Sequence, residues 1–225
     1  LWNGETVDYD GPAGHFAGMG MPDPPARRPP IILSSWVPGP KATALAAKVF
    51  DGVFIGCELT VEATANVCRR LRQACEQIGR DPASLMIYNT MMCGPDLSAD
   101  EELAVMNARM VTHFSFPGIG DRIVRENGWD PEPLGRLLDH PMMRGDQIAD
   151  QKYTRDQLLE LGASLPREWV ETGCVVGSAA QCAERLRAYV DAGLDHLVLH
   201  GSSPDQLAGV VKLWRDQIRS RRDQT

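Results

Sequence analysis

The stretch PPIILSSWVPGPKATALAAKVFDGVFIG, from Pro29 to Gly56, constrains the fold more than any other part of the chain. A short apolar run is followed by a loop of small residues, an Ala-rich segment and, at once, a second apolar run. Ile31 to Ser35, led in by the stiff Pro29-Pro30 pair, reads as a buried strand. Pro40 stands at the favoured first helical position, and Ala42, Leu45, Ala46 and Val49 mark one face of the helix it begins. Only Asp51 and Gly52 turn that helix into GVFI, Gly52 to Ile55, a connection as short as α/β units use. Units of this kind lay their strands parallel.

More units follow. TVEATANVCRRLRQACEQIG, from Thr60, puts Val61, Ala65, Cys68, Leu71, Cys75 and Ile78 at helical spacing and stops at Gly79. Leu85 to about Met91 gives a third strand. Near the end Ser178 caps the helix AAQCAERLRAYVDAG, Leu194 to His200 forms a strand, and Pro204 starts a last amphipathic helix. Residues 1–225 read as one domain, with 99–177 as a helical insertion between the last two strands. In an α/β barrel such an insertion sits at the mouth; a lid or pocket wall is expected, with a dimer surface as the alternative. A complete eight-unit barrel takes about 250 residues, so four units and an insertion correspond to half of one. The chain does not open on Met, and its first residues, LWNGETVDYDGPAGHFAG, alternate as a small hairpin does. It reads as a piece of something longer, or as a half completed by another chain.

Composition excludes several classes of partner. The formal charge is -7, and basic residues gather only in the tail RDQIRSRRDQT, read as a solvated helix end, so no nucleic-acid surface is expected. No apolar run approaches the roughly 20 residues of a membrane span. Six cysteines without a CxxC pair read as buried thiols in a reducing cytoplasm. GxSxG, GxxxxGK[ST] and a helix-opening GxGxxG are missing.

GETVDYDG, the Pro29-to-Gly56 stretch, GRDP, and VVGSAAQCAERLRAYVDAGLDHLVL occur in that order. Together they resemble the C-terminal half of the luciferase-like flavin- or deazaflavin-dependent oxidoreductases. The resemblance implies a TIM (β/α)8 barrel of which this chain supplies strands 5–8. It implies coenzyme F420 as cofactor, with FMN the close rival, and a hydride exchanged with a small organic substrate, or oxygen activation if FMN is bound. Relatives are commonly homodimers. A non-catalytic, cofactor-binding or subunit-completing half-barrel is the reading from a different class.

Candidate site residues follow from loop chemistry and the resemblance together. Small residues after a parallel strand, leading into a helix N-terminus, offer backbone N–H groups and the positive dipole end to an anion. Ser34, Ser35, Trp36, Gly39 and Pro40 are the expected cofactor-phosphate cradle, with Lys41 adding charge; the alternative is a plain turn. Trp36 either flanks a ring or covers the barrel rim. Gly56 and Cys57 end the next strand at the same level, while Glu58 would repel a phosphate unless turned away. Asn89, Thr90 and Met91 end the third strand, where they either reach the ring or substrate or are core groups satisfied by neighbouring backbone; His113 and Phe114 either line the pocket or are structural. His196 and His200 share a strand face but lie too far apart for a shared metal. No Glu or Cys near them completes a set, so no metal is expected; His200, with Gly201 and Ser202, remains a pocket candidate.

Overall fold

Which way each strand turns its side chains decides what the site can contain. The computed structural model describes residues 1–143 and 149–222. The chain divides into two units, Leu1–Ile31 and the remainder from Ile32 onward. The first is an antiparallel hairpin, β1 (Val7–Gly11) and β2 (Gly14–Met19), with Tyr9 opposite Phe16.

The second unit is α/β. In chain order it contains β3 (Ile32–Ser34), α1 (Pro40–Val49), β4 (Gly52–Ile55), α2 (Val61–Gln77) and β5 (Met86–Pro95). A helical stretch follows: α3 (Ala99–Glu102), a π-helical turn at Leu103–Asn107, α4 (Ala108–Ser115), α5 (Ile119–Asn127), α6 (Glu132–Asp139), α7 (Ala149–Lys152), α8 (Arg155–Gly162) and α9 (Arg167–Gly173). Then come β6 (Val175–Gly177), α10 (Ala179–Asp191), β7 (His196–His200) and α11 (Pro204–Arg222). The last three tail residues lie outside the described ones. All strand pairs of this unit are parallel: β3 with β4, β4 with β5, and β5 with both β6 and β7. The expected insertion, 99–177, is helical over most of its length and closes on the three-residue β6, which is too short to show a period in the sequence.

Local signals act where the sequence places them. Pro40 is the first helical residue of α1 after Gly39. The Thr60 hydroxyl accepts the Ala63 N–H at 3.1 Å, and Ser178 and Gln181 form a reciprocal capping box. The buried face of α1 differs from the expected one: Thr43, Ala46 and Ala47 are buried, while Leu45 and Val49 are exposed. In a segment this rich in Ala, several faces have equal apolar content, so packing rather than pattern selects one. Ile78 is likewise exposed, because α2 has already ended beneath it.

One face of the sheet is closed by helices. Val53, Ile55, Ile87, Met91 and Cys93 are buried there with Val67 and Leu71 of α2 and Cys182 and Leu186 of α10. The other face carries a ladder of rings, Phe54 on Tyr88 at 5.8 Å and Tyr88 on His196 at 4.4 Å, all incompletely buried. All six cysteines are buried and unpaired by disulfides, and no described helix is long and apolar enough to cross a membrane.

The strand starts are fastened by arginines. Arg80, from GRDP, donates to the Ala47 and Phe50 carbonyls at 2.8 and 2.7 Å, satisfying groups left free at the end of α1. Arg72 reaches the Leu85 carbonyl and pairs with Asp195 at 2.7 Å, and Asp195 also accepts the Ile87 N–H at 2.7 Å. These motifs therefore hold the end of the sheet opposite the candidate site. Asp195→Ala should lower stability by about 1–3 kcal/mol, since it strips a guanidinium and a strand amide of their acceptor. At about 2–4 °C per kcal/mol, differential scanning calorimetry should show a fall of several degrees in Tm.

Candidate functional site

Parallel strands bring their C-terminal ends to one level, and Trp36, Cys57, Glu58 and His200 meet there. Cys57 Sγ lies 3.3 Å from His200 Nε2, although 143 positions separate them. Burial, then the neighbouring charges of His113 and Arg109, pulls the His200 pKa down to about 4. Burial first, and the Glu58 carboxylate second, pushes the Cys57 thiol well up. Near neutral pH the contact is therefore a thiol S–H donating to a neutral imidazole.

Glu58 is the unexpected member. Its backbone is left-handed, φ 60°, which costs a non-glycine residue about 1–2 kcal/mol. Asn127 of α5 holds it there: its side-chain amide donates to the Glu58 carbonyl at 2.7 Å and its oxygen accepts the Thr60 N–H at 3.0 Å. Gly173 lies so close that a Cβ would stand 2.8 Å from the Glu58 carbonyl oxygen. The twist turns the Glu58 carboxylate inward, where it is fully buried and its Oε1 meets His113 Nδ1 at 2.5 Å. Its other oxygen, Oε2, is buried without a partner among the described residues. The edge of Trp36 packs on His113, with ring centroids 4.7 Å apart.

The loop after β3 behaves in two parts. Ser35 donates its amide to the Phe54 carbonyl and Gly56 donates to the Trp36 carbonyl, both at 2.9 Å, so the sheet consumes these N–H groups. Ser34 pairs in register with Phe54. Beyond Trp36 the situation reverses. Gly39 supplies no side-chain cap to α1, and the first-turn amides of Lys41 and Ala42 find no acceptor among the described residues. Gly39, Pro40 and Thr43 at this helix end line a cavity of about 400 Å³ reached also by Arg70, Arg122, Arg125 and Glu126. Arg70 is occupied by a two-bonded pair with Glu126 at 2.7 and 3.0 Å. Arg122 and Arg125 have no such partner among the described residues. A second cavity of about 400 Å³ runs from His200 and Gly201 to Arg109, Thr112 and Arg155.

The expected residues thus separate into groups. Gly39, Pro40 and Lys41 stand at the free helix end; Trp36, Cys57, His113 and His200 share the buried cluster. Ser34, Ser35 and Gly56 are structural in their amides. Asn89 and Met91 do not face the mouth, because they share the alternating face of β5 on which Cys93 meets Cys182 of α10, and both are fully buried. Tyr88, Thr90 and Met92 occupy the opposite face of β5. Phe114 turns instead into the helical layer, edge-on to Trp169 at 5.4 Å. His196 is exposed on Tyr88, away from His200. The expectation that no Cys or Glu stands with His200 fails, because Cys57 arrives from another strand. Sequence reading missed Asn127, Arg122 and Arg125; only the basic spacing within GDRIVREN hinted at the arginines.

The luciferase-like monooxygenase family model matches residues 1–196, and the chain belongs to that family. It is 27% identical over 218 residues to the F420-dependent glucose-6-phosphate dehydrogenase of Nocardia farcinica, covering 92% of this chain and 52% of the relative. Among solved structures it resembles the coenzyme F420-dependent tetrahydromethanopterin reductase of Methanopyrus kandleri, with a TM-score of 0.66 at 15% identity over 93% of this chain and 56% of that one. It also resembles an F420-dependent secondary alcohol dehydrogenase, at 0.62, 15%, 93% and 55%. The chain spans about half the length of the curated relatives it matches. Its parallel sheet and helices are part of a luciferase-like barrel.

Gly56 has no room for a side chain: an added Cβ would lie 2.8 Å from the Trp36 Cβ and 2.9 Å from its ring. Gly56→Ala should destabilise the fold by about 1–3 kcal/mol through overpacking. Trp36→Gly in the same chain removes both the Cβ and the ring and should recover much of that loss, so a double-mutant cycle of unfolding free energies showing simple additivity would contradict the packing assigned to this pair.

Proposed function

We propose that this chain is the cofactor-gripping part of an oxidoreductase that moves a hydride between coenzyme F420 and a small organic substrate. The carrying observation is the free N-terminus of α1: the amides of Lys41 and Ala42 find no acceptor among the described residues, and Gly39 and Pro40 just before them line one cavity with Arg122 and Arg125. Such donors fit a phosphodiester anion: amides and a helix dipole fix its position, and guanidinium groups balance its charge. Family membership and the F420-dependent relatives support the same reading. Bound F420 supplies the hydride chemistry itself. This chain's part is to bind and to exclude water. Gly39 to Lys41 hold the anionic arm, Trp36 walls the mouth beside them, and the cavity from His200 to Arg109 and Arg155 receives the substrate.

Fluorescence titration of the full-length protein with F420 should show micromolar or tighter binding. Arg122→Ala with Arg125→Ala should weaken it about 10- to 100-fold, the loss of one or two charge-assisted contacts. Unchanged affinity in that variant would remove the cradle, and stronger binding of FMN than of F420 would transfer the reading to a flavin enzyme.

A further inference from the structure

We infer that Cys57, Glu58 and His113, with His200 at their edge, form a binding site for a divalent transition-metal ion, zinc by the chemistry of the donors. The inference stands on these side chains alone and holds whether or not a deazaflavin binds.

Geometry comes first. One ligand atom from each of Cys57, Glu58 and His113 lies within 4.8 Å of the others, and all three residues are buried. His200 Nε2 adds a fourth donor 3.3 Å from the Cys57 sulfur. The hydrogen bond between His113 and Glu58 satisfies only half of the carboxylate. Glu58 Oε2 remains buried and unbonded, in a residue whose backbone is held left-handed to aim it there. A buried carboxylate with a bare oxygen is costly unless a cation or donor completes it, and the Cys57 and His113 ligand atoms grouped with this carboxylate are of kinds that bind metals.

The donor set selects the ion. Magnesium and calcium take oxygen shells, whereas one sulfur, one carboxylate and one or two imidazoles suit zinc. His200 also lines the cavity that contains Arg109 and Arg155. The cluster is therefore reachable from a pocket on the side where His200 stands. Binding is balanced by loss of the Cys57 thiol proton to solvent, while the histidines bind as neutral imidazoles.

The test is cobalt and zinc titration of the full-length protein after chelator treatment. One equivalent of Co²⁺ should bind with an intense near-ultraviolet sulfur-to-cobalt band and be displaced by one equivalent of Zn²⁺. Cys57→Ser should abolish that band, and His113→Gln should weaken affinity by about 10- to 100-fold or more. Circular dichroism confirms that each variant is folded. Folded protein that takes up no stoichiometric metal overturns the site, as does a sulfur–cobalt band that persists in Cys57→Ser. F420 fluorescence measured on the same samples reads the cofactor separately, so loss of one activity does not hide the other.

Discussion

Everything at the candidate site depends on the period-two alternation of the parallel strands. Odd positions 53, 55, 87, 91 and 93 are spent on the helical layer, where they bury fully. Even positions carry Phe54, Tyr88, His196 and His200 on the other face. A one-residue slip of β5 would carry Asn89 and Met91 to the mouth and send Tyr88 into the helices. The ring ladder across β4, β5 and β7 pins the register against that slip, since each pair stands directly opposite in the hydrogen-bonded ladder.

Local chemistry made much of the fold readable. Pro40, Thr60, Ser178 and Gly79 each act within a few residues of themselves, so their effect survives in the sequence; Gly79, at φ 74°, ends α2 where only glycine is comfortable. The site was less readable because it is assembled across the chain. Glu58 and His113 lie 55 positions apart, and nothing near Glu58 announces a left-handed glutamate. Asn127, which holds that twist, ends a helix in the insertion and carries no motif. Asn89 and Met91 could be read either way for a simpler reason: the strand's end was visible, but not which face met α10.

The loop after β3 shows how one segment divides two tasks. Up to Trp36 its backbone groups close the sheet, and the Trp36 side chain fills the space that a Cβ at Gly56 would need. From Gly39 onward the same loop leaves donors open, because proline at the first helical position and glycine before it supply neither N–H nor side-chain cap. Arg122 and Arg125 come to this opening from α5, the helix whose last residue also clamps Glu58. The insertion thus supports both halves of the mouth.

A chain selected only for stability would not build the Glu58 cluster. Glycine at position 58 would adopt φ 60° without strain and bury no carboxylate, and an apolar residue at 113 would then need no polar partner. The observed pair carries the strain of the turn, the desolvation of an acid, and an oxygen without a partner, and all three act against folding. Asn127, Gly173 and the edge of Trp36 offset that cost by fixing the turn and the imidazole from three directions. Costs that accumulate at one point, with neighbours arranged to hold them, mark a place where local rules yield to a requirement of the site. The requirement we infer is a set of metal donors, Cys57, Glu58 and His113, beside the cavity lined by His200, Arg109 and Arg155.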